Sequence, residues 1–340
     1  MKKRDIYILG IESSCDETSA AVLLNDKVLS NCIANQEIHK DYGGVVPELA
    51  SRAHQSNIIP VVEKSLSDAN INKNRLSAIA FTNGPGLLGS LLVGSSFSKS
   101  ISLGLDIPLI SVNHMHAHLF ASFISRPNFR KPRFPFLGVN ISGGHTQLII
   151  VKDFFKMKLI GNTLDDAIGE AFDKCGKILG LDYPAGPMID RLSSKGDRNK
   201  FELPIAKVKD FDFSYSGVKT AFQNLVIQSN LKDSSFINNN ISDLCASLQK
   251  SLVESVIKKI ELAAKKFSIS EIVIGGGVSA NSEMRKLLKE LSSEKNWNVY
   301  IPPIEYTTDN AAMIGIVGYF KYIHNKFDQL SITPSPRFKI

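Results

Sequence analysis

Two similar stretches decide the fold of this chain: LGIESSCDETSAAVLLN at residues 9–25 and LGVNISGGHTQLIIVKD at residues 137–153. At a constant offset of 128 residues, Leu9, Gly10 and Thr18 meet identical residues in the second stretch, and an apolar run follows the polar turn in both. An apolar segment, a polar turn and a second apolar segment predict a β-hairpin. Because the pattern recurs in register, we interpret it as an internal duplication.

A second repeated feature is a buried strand that runs into a glycine-rich turn. LSAIAF at residues 76–81 leads to NGPG at 83–86, and ISEIVI at residues 269–274 leads to GGG at 275–277. In the actin, sugar-kinase and heat-shock ATPase architecture, backbone N–H groups of such turns hold the phosphates of a nucleotide. The duplicated pattern therefore predicts an α/β chain with an actin-like fold, two lobes and a central cleft.

The lobes are expected to divide near residue 120. The N-terminal lobe is predicted over residues 1–120, completed by a C-terminal helix at about 311–340, and the C-terminal lobe over residues 121–310. A length of 340 residues suffices for two such units. Residues 194–219 form a basic insertion, which is either solvated or a surface for a polyanion. The net charge of +7 permits an RNA partner without demanding one.

The composition is typical of a cytoplasmic protein. The four cysteines show no CxxC spacing, which favours a reduced compartment over a disulfide scaffold or a zinc ribbon. A basic cluster at Lys2–Arg4 precedes the apolar run Ile6–Ile11, which is too short for a secretion signal. No apolar run reaches the roughly 18 residues of a membrane span. We therefore expect a cytoplasmic location and no membrane partner.

Three of the seven histidines fall in the stretch VNHMHAH at residues 112–118. On a helix, His114 and His118 lie one turn apart on the same face and can bind one metal ion, whereas His116 points elsewhere. The alternative is that the three histidines lie in a helical turn at the surface and bind no metal. Asp309 precedes a predicted C-terminal helix and is either its N-cap or a third ligand. Two histidines and one carboxylate suit iron(II) or zinc.

Seven motifs spread over most of the chain carry a resemblance to a known family. They are GGVVPELASRAH (43–54), NGPGL (83–87), SGGHT (142–146), GEAFDK (169–174), LDYP (181–184), FSYSG (213–217) and GGGVSAN (275–281). Together they resemble the tRNA N6-adenosine threonylcarbamoyltransferases (TsaD), once called the glycoprotease family.

The resemblance implies transfer of a threonylcarbamoyl group from threonylcarbamoyl-AMP to N6 of adenosine 37 in tRNAs that read ANN codons. It implies one divalent metal per chain, with Fe²⁺ favoured and Zn²⁺ possible, held by His114, His118 and Asp309. The partners it implies are tRNA, a catalytically silent paralogue and a small ATPase. The residues that would hold the adenylate are Asn140, Ile141, Ser142, Gly143, Gly144, Asp173, Gly186, Asp190 and Asn281. No general base is evident.

The chain departs from the family pattern at one place. Family members usually carry Glu-Gly where this chain has His116-Ala117, so His116 either substitutes for that Glu or competes as a ligand.

A kinase or nucleotidase of the same fold is the alternative activity, and it would need a Mg²⁺-binding pair such as Asp16 and Glu17. A zinc peptidase is disfavoured, because Met115 stands where the HExxH motif requires Glu.

Overall fold

The computed structural model describes residues 5–338, so the Lys2–Arg4 cluster lies outside the described residues. The chain forms two compact units, one from residues 1–131 and 302–340 and the other from residues 132–301. The expected division at 120/121 and 310/311 is thus replaced by changes at Lys131/Pro132 and Ile301/Pro302. Within the described part, no helix has the length and apolar character needed to cross a membrane.

The first unit is built on a five-stranded sheet in the order β3-β2-β1-β4-β5. Its strands are β1 (Tyr7–Glu12), β2 (Thr18–Leu24), β3 (Lys27–Ala34), β4 (Ala78–Gly84) and β5 (Leu109–Asn113). Its helices are α1 (Pro47–Asp68), α2 (Leu88–Leu105), α3 (His114–Phe120) and α9 (Ala311–Ile323). β1 pairs with β2 antiparallel, as the hairpin predicted, and with β4 parallel.

Helices cover both faces of this sheet, which explains why every residue of β1 is buried. Successive strand residues point to opposite faces. Leu9 and Ile11 belong to the core that includes Ile58 of α1, whereas Gly10 faces α9. A Cβ atom on Gly10 would collide with the carbonyl oxygen of Ala311, so the close approach of α9 requires glycine here.

The second unit repeats the arrangement with a sheet in the order β10-β9-β6-β7-β8. Its strands are β6 (Phe136–Ile141), β7 (Thr146–Val151), β8 (Met157–Asn162), β9 (Glu271–Gly275) and β10 (Asn298–Tyr300). Its helices are α4 (Ile168–Ile178), α5 (Gly186–Ser193), α6 (Ser216–Lys232), α7 (Phe236–Phe267) and α8 (Ser282–Lys295).

The strand register confirms the internal duplication. Leu9 pairs with Val22 in the first unit, and Leu137 pairs with Ile150 in the second, again at an offset of 128 residues. β6 runs antiparallel to β7 and parallel to β9, as β1 does to β2 and β4. The repeated sequence therefore encodes the same strand pairing twice.

The glycine-rich turn of the first unit differs from its expected role. The Gly86 N–H donates to the Pro336 carbonyl oxygen (3.3 Å), and the Leu87 N–H donates to the Ser14 carbonyl oxygen (2.8 Å). A Cβ atom on Gly84 would collide with the carbonyl oxygen of Ser335. The expectation that this turn holds phosphates is therefore wrong in this structure, because the protein's own C-terminal segment and the β1–β2 turn occupy its amides.

Candidate active-site residues

The two histidines of the first unit are presented by α3, which begins directly after β5. The Asn113 side chain caps this helix by accepting from the N–H groups of Met115 (2.9 Å) and His116 (3.1 Å). The cap starts the helix at His114, so His114 and His118 lie one turn apart. Their Nε2 atoms are 3.1 Å apart and both side chains are buried. The structure thus places the two imidazoles side by side on one face of a helix, and their role as metal ligands stays a prediction.

Asp309 joins these histidines from the segment ahead of α9. Its Oδ1 atom lies 3.3 Å from the Nε2 of His114 and 3.1 Å from the Nε2 of His118. The N-cap of α9 is Asn310, whose side chain accepts from the Met313 N–H (3.1 Å). Of the two roles left open for Asp309, N-cap and ligand, the structure therefore excludes the first. The three ligand atoms lie within 4.8 Å of one another.

Glu12, which the sequence did not single out, orients the first histidine. Its Oε2 accepts from the Nδ1 of His114 (3.0 Å) and from the Thr82 hydroxyl (2.6 Å), and the carboxylate is fully buried at the end of β1. A proton held on Nδ1 leaves the Nε2 lone pair free for a metal. The only signal in the sequence was an acidic residue that closes an apolar strand.

The protonation of the cluster reflects its opposed charges. Burial lowers the pKa of His114, but the carboxylates of Asp309 and Glu12 outweigh it and raise that pKa well above its usual value. Burial raises the pKa of Asp309, yet the two imidazoles hold it well below its ordinary range. Burial also lowers the pKa of His118. The raised pKa favours an imidazolium at His114 beside the ionised Asp309 carboxylate. Two Nε2 atoms and a carboxylate oxygen are a donor set that fits a divalent metal, whose binding would displace the Nε2 proton of His114.

His116 lies outside this group of ligand atoms. Burial and the nearby Lys321 ammonium lower its pKa to about 4, so its imidazole is neutral. The group of histidine and acidic residues that can hold a metal contains His114, His118 and Asp309 without it. The alternative that His116 competes as a ligand therefore finds no support in the structure.

In the second unit, the predicted ligand-binding turn follows β6. Asn140 and Ile141 close the strand and are buried, Ser142 is half-buried, and Gly143 and Gly144 are exposed. A Cβ atom on Gly143 or Gly144 would meet nothing within 4 Å, and neither residue has a left-handed φ. The fold does not require glycine at these two positions, which is consistent with space kept for a ligand.

The other residues predicted to hold the adenylate lie in α5 or beside it: Asp173, Gly186, Asp190 and Asn281. Asp173 of α4 accepts from the Ala185 N–H (2.8 Å) directly before Gly186, where α5 begins. Asp190 lies one turn further along α5 and accepts from the Asn281 amide (3.2 Å). The structure thus brings Asp173 next to Gly186, and Asp190 next to Asn281. Burial raises the pKa of Asp173.

The basic insertion is partly neutralised within its own unit. Residues 194–215 lack regular structure, and α6 begins at Ser216. Ion pairs bind Arg198 to Glu254 and Glu283, Lys200 to Asp243, and Lys219 to Asp166. Lys195, Lys207 and Lys209 are exposed and have no ion pair among the described residues. A polyanion would therefore find a smaller basic surface than the sequence suggested.

We expect that adding a methyl group in the open turn after β6 weakens ligand binding without affecting folding. Gly144→Ala places a Cβ where the protein has no atom, so the melting temperature should stay unchanged while the dissociation constant of AMP rises about tenfold. Gly217→Ala is the matched control, since its Cβ also meets open space. Equal AMP affinity in the wild type and both variants would contradict a ligand at this turn.

Comparison with known proteins gives a consistent result. A family model described as tRNA N6-adenosine threonylcarbamoyltransferase matches residues 27–316. Relatives with that name are 54% identical in Christiangramia forsetii, over all of both chains, and 50% identical in Porphyromonas gingivalis, over 99% of this chain and all of the relative. A third, from Thermosipho africanus, is 46% identical over 98% of this chain and all of its own.

Solved structures of low identity confirm the actin-like fold. HypF in its phosphate- and nucleotide-bound form aligns with a TM-score of 0.61 at 14% identity, over 96% of this chain and 48% of HypF. Component A of the (R)-2-hydroxyglutaryl-CoA dehydratase from Acidaminococcus fermentans aligns with a TM-score of 0.53 at 17% identity, over 94% and 99% of the two chains. Since its relatives share about half of their residues with it from end to end, the chain belongs to the tRNA N6-adenosine threonylcarbamoyltransferase family.

Proposed function

We propose that this protein transfers the threonylcarbamoyl group from threonylcarbamoyl-AMP to N6 of adenosine 37 in tRNAs that read ANN codons, forming t6A. The observation that carries the proposal is the convergence of His114, His118 and Asp309 in a member of this family. In the transfer, N6 forms a bond to the carbamoyl carbon and the bond between that carbon and a phosphate oxygen of AMP breaks. AMP leaves with the electron pair, and one proton passes from N6 to solvent.

In this proposal the first unit holds a divalent metal, with Fe²⁺ favoured and Zn²⁺ as the alternative. His114 and His118 offer their Nε2 lone pairs and Asp309 offers a carboxylate oxygen, while Glu12 keeps the proton on the Nδ1 of His114. These three residues would hold the metal, and the chemistry it would supply is Lewis-acid polarisation of the transferred group and stabilisation of negative charge on the leaving phosphate. The exocyclic amine of adenine is a poor nucleophile, so positioning and charge stabilisation matter more than a strong base.

The second unit is proposed to bind the adenylate. At the end of the Asn140–Gly144 segment, Gly143 and Gly144 leave room for close approach of a ligand to the backbone, as does Gly186. Asp190 and Asp173 are the acceptors available to ribose hydroxyls, although each already accepts hydrogen bonds from the protein. We also propose that the reaction is cytoplasmic, where tRNA is available, and that it uses a catalytically silent paralogue and a small ATPase as partners.

The experiment that tests the proposal is transfer of labelled threonylcarbamoyl from its adenylate to unmodified tRNA. The protein is assayed with the two partner proteins, and the product nucleoside is identified after digestion of the tRNA. We expect t6A at position 37 only in tRNAs that read ANN codons. Absence of product with all partners present would reject the proposed activity.

We expect the unpaired lysines of the insertion to contribute to tRNA binding. Changing Lys195, Lys207 and Lys209 together to alanine should weaken tRNA binding about tenfold at low salt and flatten its salt dependence, because counterion release falls with each lost phosphate contact. The control is the double variant Lys286→Ala/Lys289→Ala, which removes two exposed positive charges on α8 in the same unit. A binding curve and salt slope like those of the wild type would show that tRNA binds elsewhere.

A further inference from the structure

Gln249 is a buried amide on the core side of α7. The residue is 4% exposed, and its helix neighbours Leu248 and Leu252 are fully buried. Its Oε1 accepts from the Asn281 amide (2.7 Å), and its Nε2 donates to the Ser193 hydroxyl (2.8 Å). A buried amide is tolerated only when both ends are hydrogen-bonded. Gln249 therefore links the end of α5 to the residue ahead of α8.

The side chain of Asn281 has every hydrogen of its amide in use. Its Oδ1 caps α8 by accepting from the Met284 N–H (3.0 Å). Its Nδ2 donates to Gln249 (2.7 Å) and to the Oδ1 of Asp190 (3.2 Å). Since a primary amide has two N–H donors, none is left for a ligand in this arrangement. Asn281 therefore acts on the site by holding Asp190.

Asp190 is held mainly through one of its two oxygens. Its Oδ1 accepts from Asn281 and from the Ser282 hydroxyl (2.7 Å), and the Ser282 N–H lies 3.2 Å from Oδ1 and 3.1 Å from Oδ2. A carboxylate offers about four acceptor positions. The Oδ2 atom therefore keeps acceptor capacity, and its direction is set by the hydrogen bonds that Asn281 and Ser282 make.

We propose that Gln249 is a positioning residue of the adenylate site: it fixes the Asn281 amide, which in turn holds Asp190 so that Oδ2 accepts from a ribose hydroxyl of the donor. This inference rests on the proposed function and deepens it. Without the Gln249 acceptor, one N–H of Asn281 is left buried and unpaired, which favours rearrangement of Asn281 and loss of the Asp190 geometry.

The test compares AMP with 2′,3′-dideoxy-AMP, which lacks both ribose hydroxyls, by calorimetric titration of the full-length protein. In the wild type, removal of the hydroxyls should raise the dissociation constant about tenfold. In Gln249→Met this ratio should fall to about twofold or less, because the acceptor is misplaced. Gln249→Glu keeps an acceptor for Asn281 and should restore most of the ratio. In the transfer assay, KM for the donor should rise in Gln249→Met with little change in kcat.

The control Gln36→Met removes a buried amide from the first unit, where Gln36 bonds His39 and Ala50. It should reduce stability and leave the AMP ratio unchanged. If Gln249→Met fails to fold, Ser193→Ala takes its place, with an expected fall of about threefold in the ratio. If Gln249→Met keeps the wild-type ratio of the two dissociation constants, the role of Gln249 is rejected while the adenylate site stands. If the wild type binds neither AMP nor 2′,3′-dideoxy-AMP, the adenylate site is rejected too.

Discussion

His118→Ala should release the proposed metal and lower threonylcarbamoyl transfer about a thousandfold, since a metal ion supplies several kcal/mol of charge stabilisation in the transition state. The Nε2 of His118 lies 3.1 Å from both the Nε2 of His114 and the Oδ1 of Asp309, so the substitution removes one of the three ligand atoms that converge there. Metal content by elemental analysis and transfer rate with partner proteins are measured on the same preparations.

Asp309→Ala should behave in the same way, because it removes the only carboxylate of the ligand group. The control is His324→Ala, which removes an exposed histidine beyond the end of α9 in the same unit. That variant should keep its metal and its activity. If His118→Ala and Asp309→Ala transfer at the wild-type rate while containing no metal, the metal has no role in the reaction.

Glu12→Gln should weaken metal binding about 10- to 100-fold, the usual effect of losing a carboxylate that supports a metal-bound histidine. The substitution preserves size but removes the charge that balances the imidazole of His114. The Ser14 N–H and the Thr82 hydroxyl each donate to a different oxygen of the Glu12 carboxylate. The glutamine side chain has only one oxygen, so its NH₂ group would face one of these two donors. Competition with a metal-binding dye gives the affinity.

The matched control for Glu12→Gln is Glu271→Gln in the second unit. Glu271 is also a buried carboxylate, and it accepts from Arg133, Asn298 and Tyr300. Its substitution should lower the melting temperature and leave the metal affinity unchanged. An unchanged affinity in Glu12→Gln would mean that the Glu12–His114 hydrogen bond does not orient the ligand.

The fold could be predicted from local patterns because the chain contains the decisive pattern twice. Leu248, Leu252 and Val256 recur at the four-residue spacing typical of a core helix, and all three are fully buried in α7. The boundaries between the two units could not be predicted as accurately from the sequence. They depend on which elements contact one another, and the change at Lys131/Pro132 falls inside a loop without periodicity.

The glycine-rich turns show where a local pattern misleads. Asn83–Gly86 has the composition of a phosphate-binding turn, but the Gly86 N–H donates to the Pro336 carbonyl oxygen and the N–H of the next residue, Leu87, donates to the Ser14 carbonyl oxygen. Pro336 comes from the far end of the chain, and nothing in the turn itself indicates that contact. The adenylate residues of the second unit remain predictions, supported by the open space at Gly143 and Gly144.

The sequence by itself determined the duplicated actin-like fold, the histidine pair and the family, because these depend on spacings within short segments and on motifs along the whole chain. Only the tertiary structure decided that Asp309 is a member of the cluster rather than an N-cap, that Glu12 orients His114, and that Gln249 holds Asn281. The physical reason is that each of these contacts joins residues that are distant in the chain. Their proximity is set by strand order and helix packing, which no local spacing encodes.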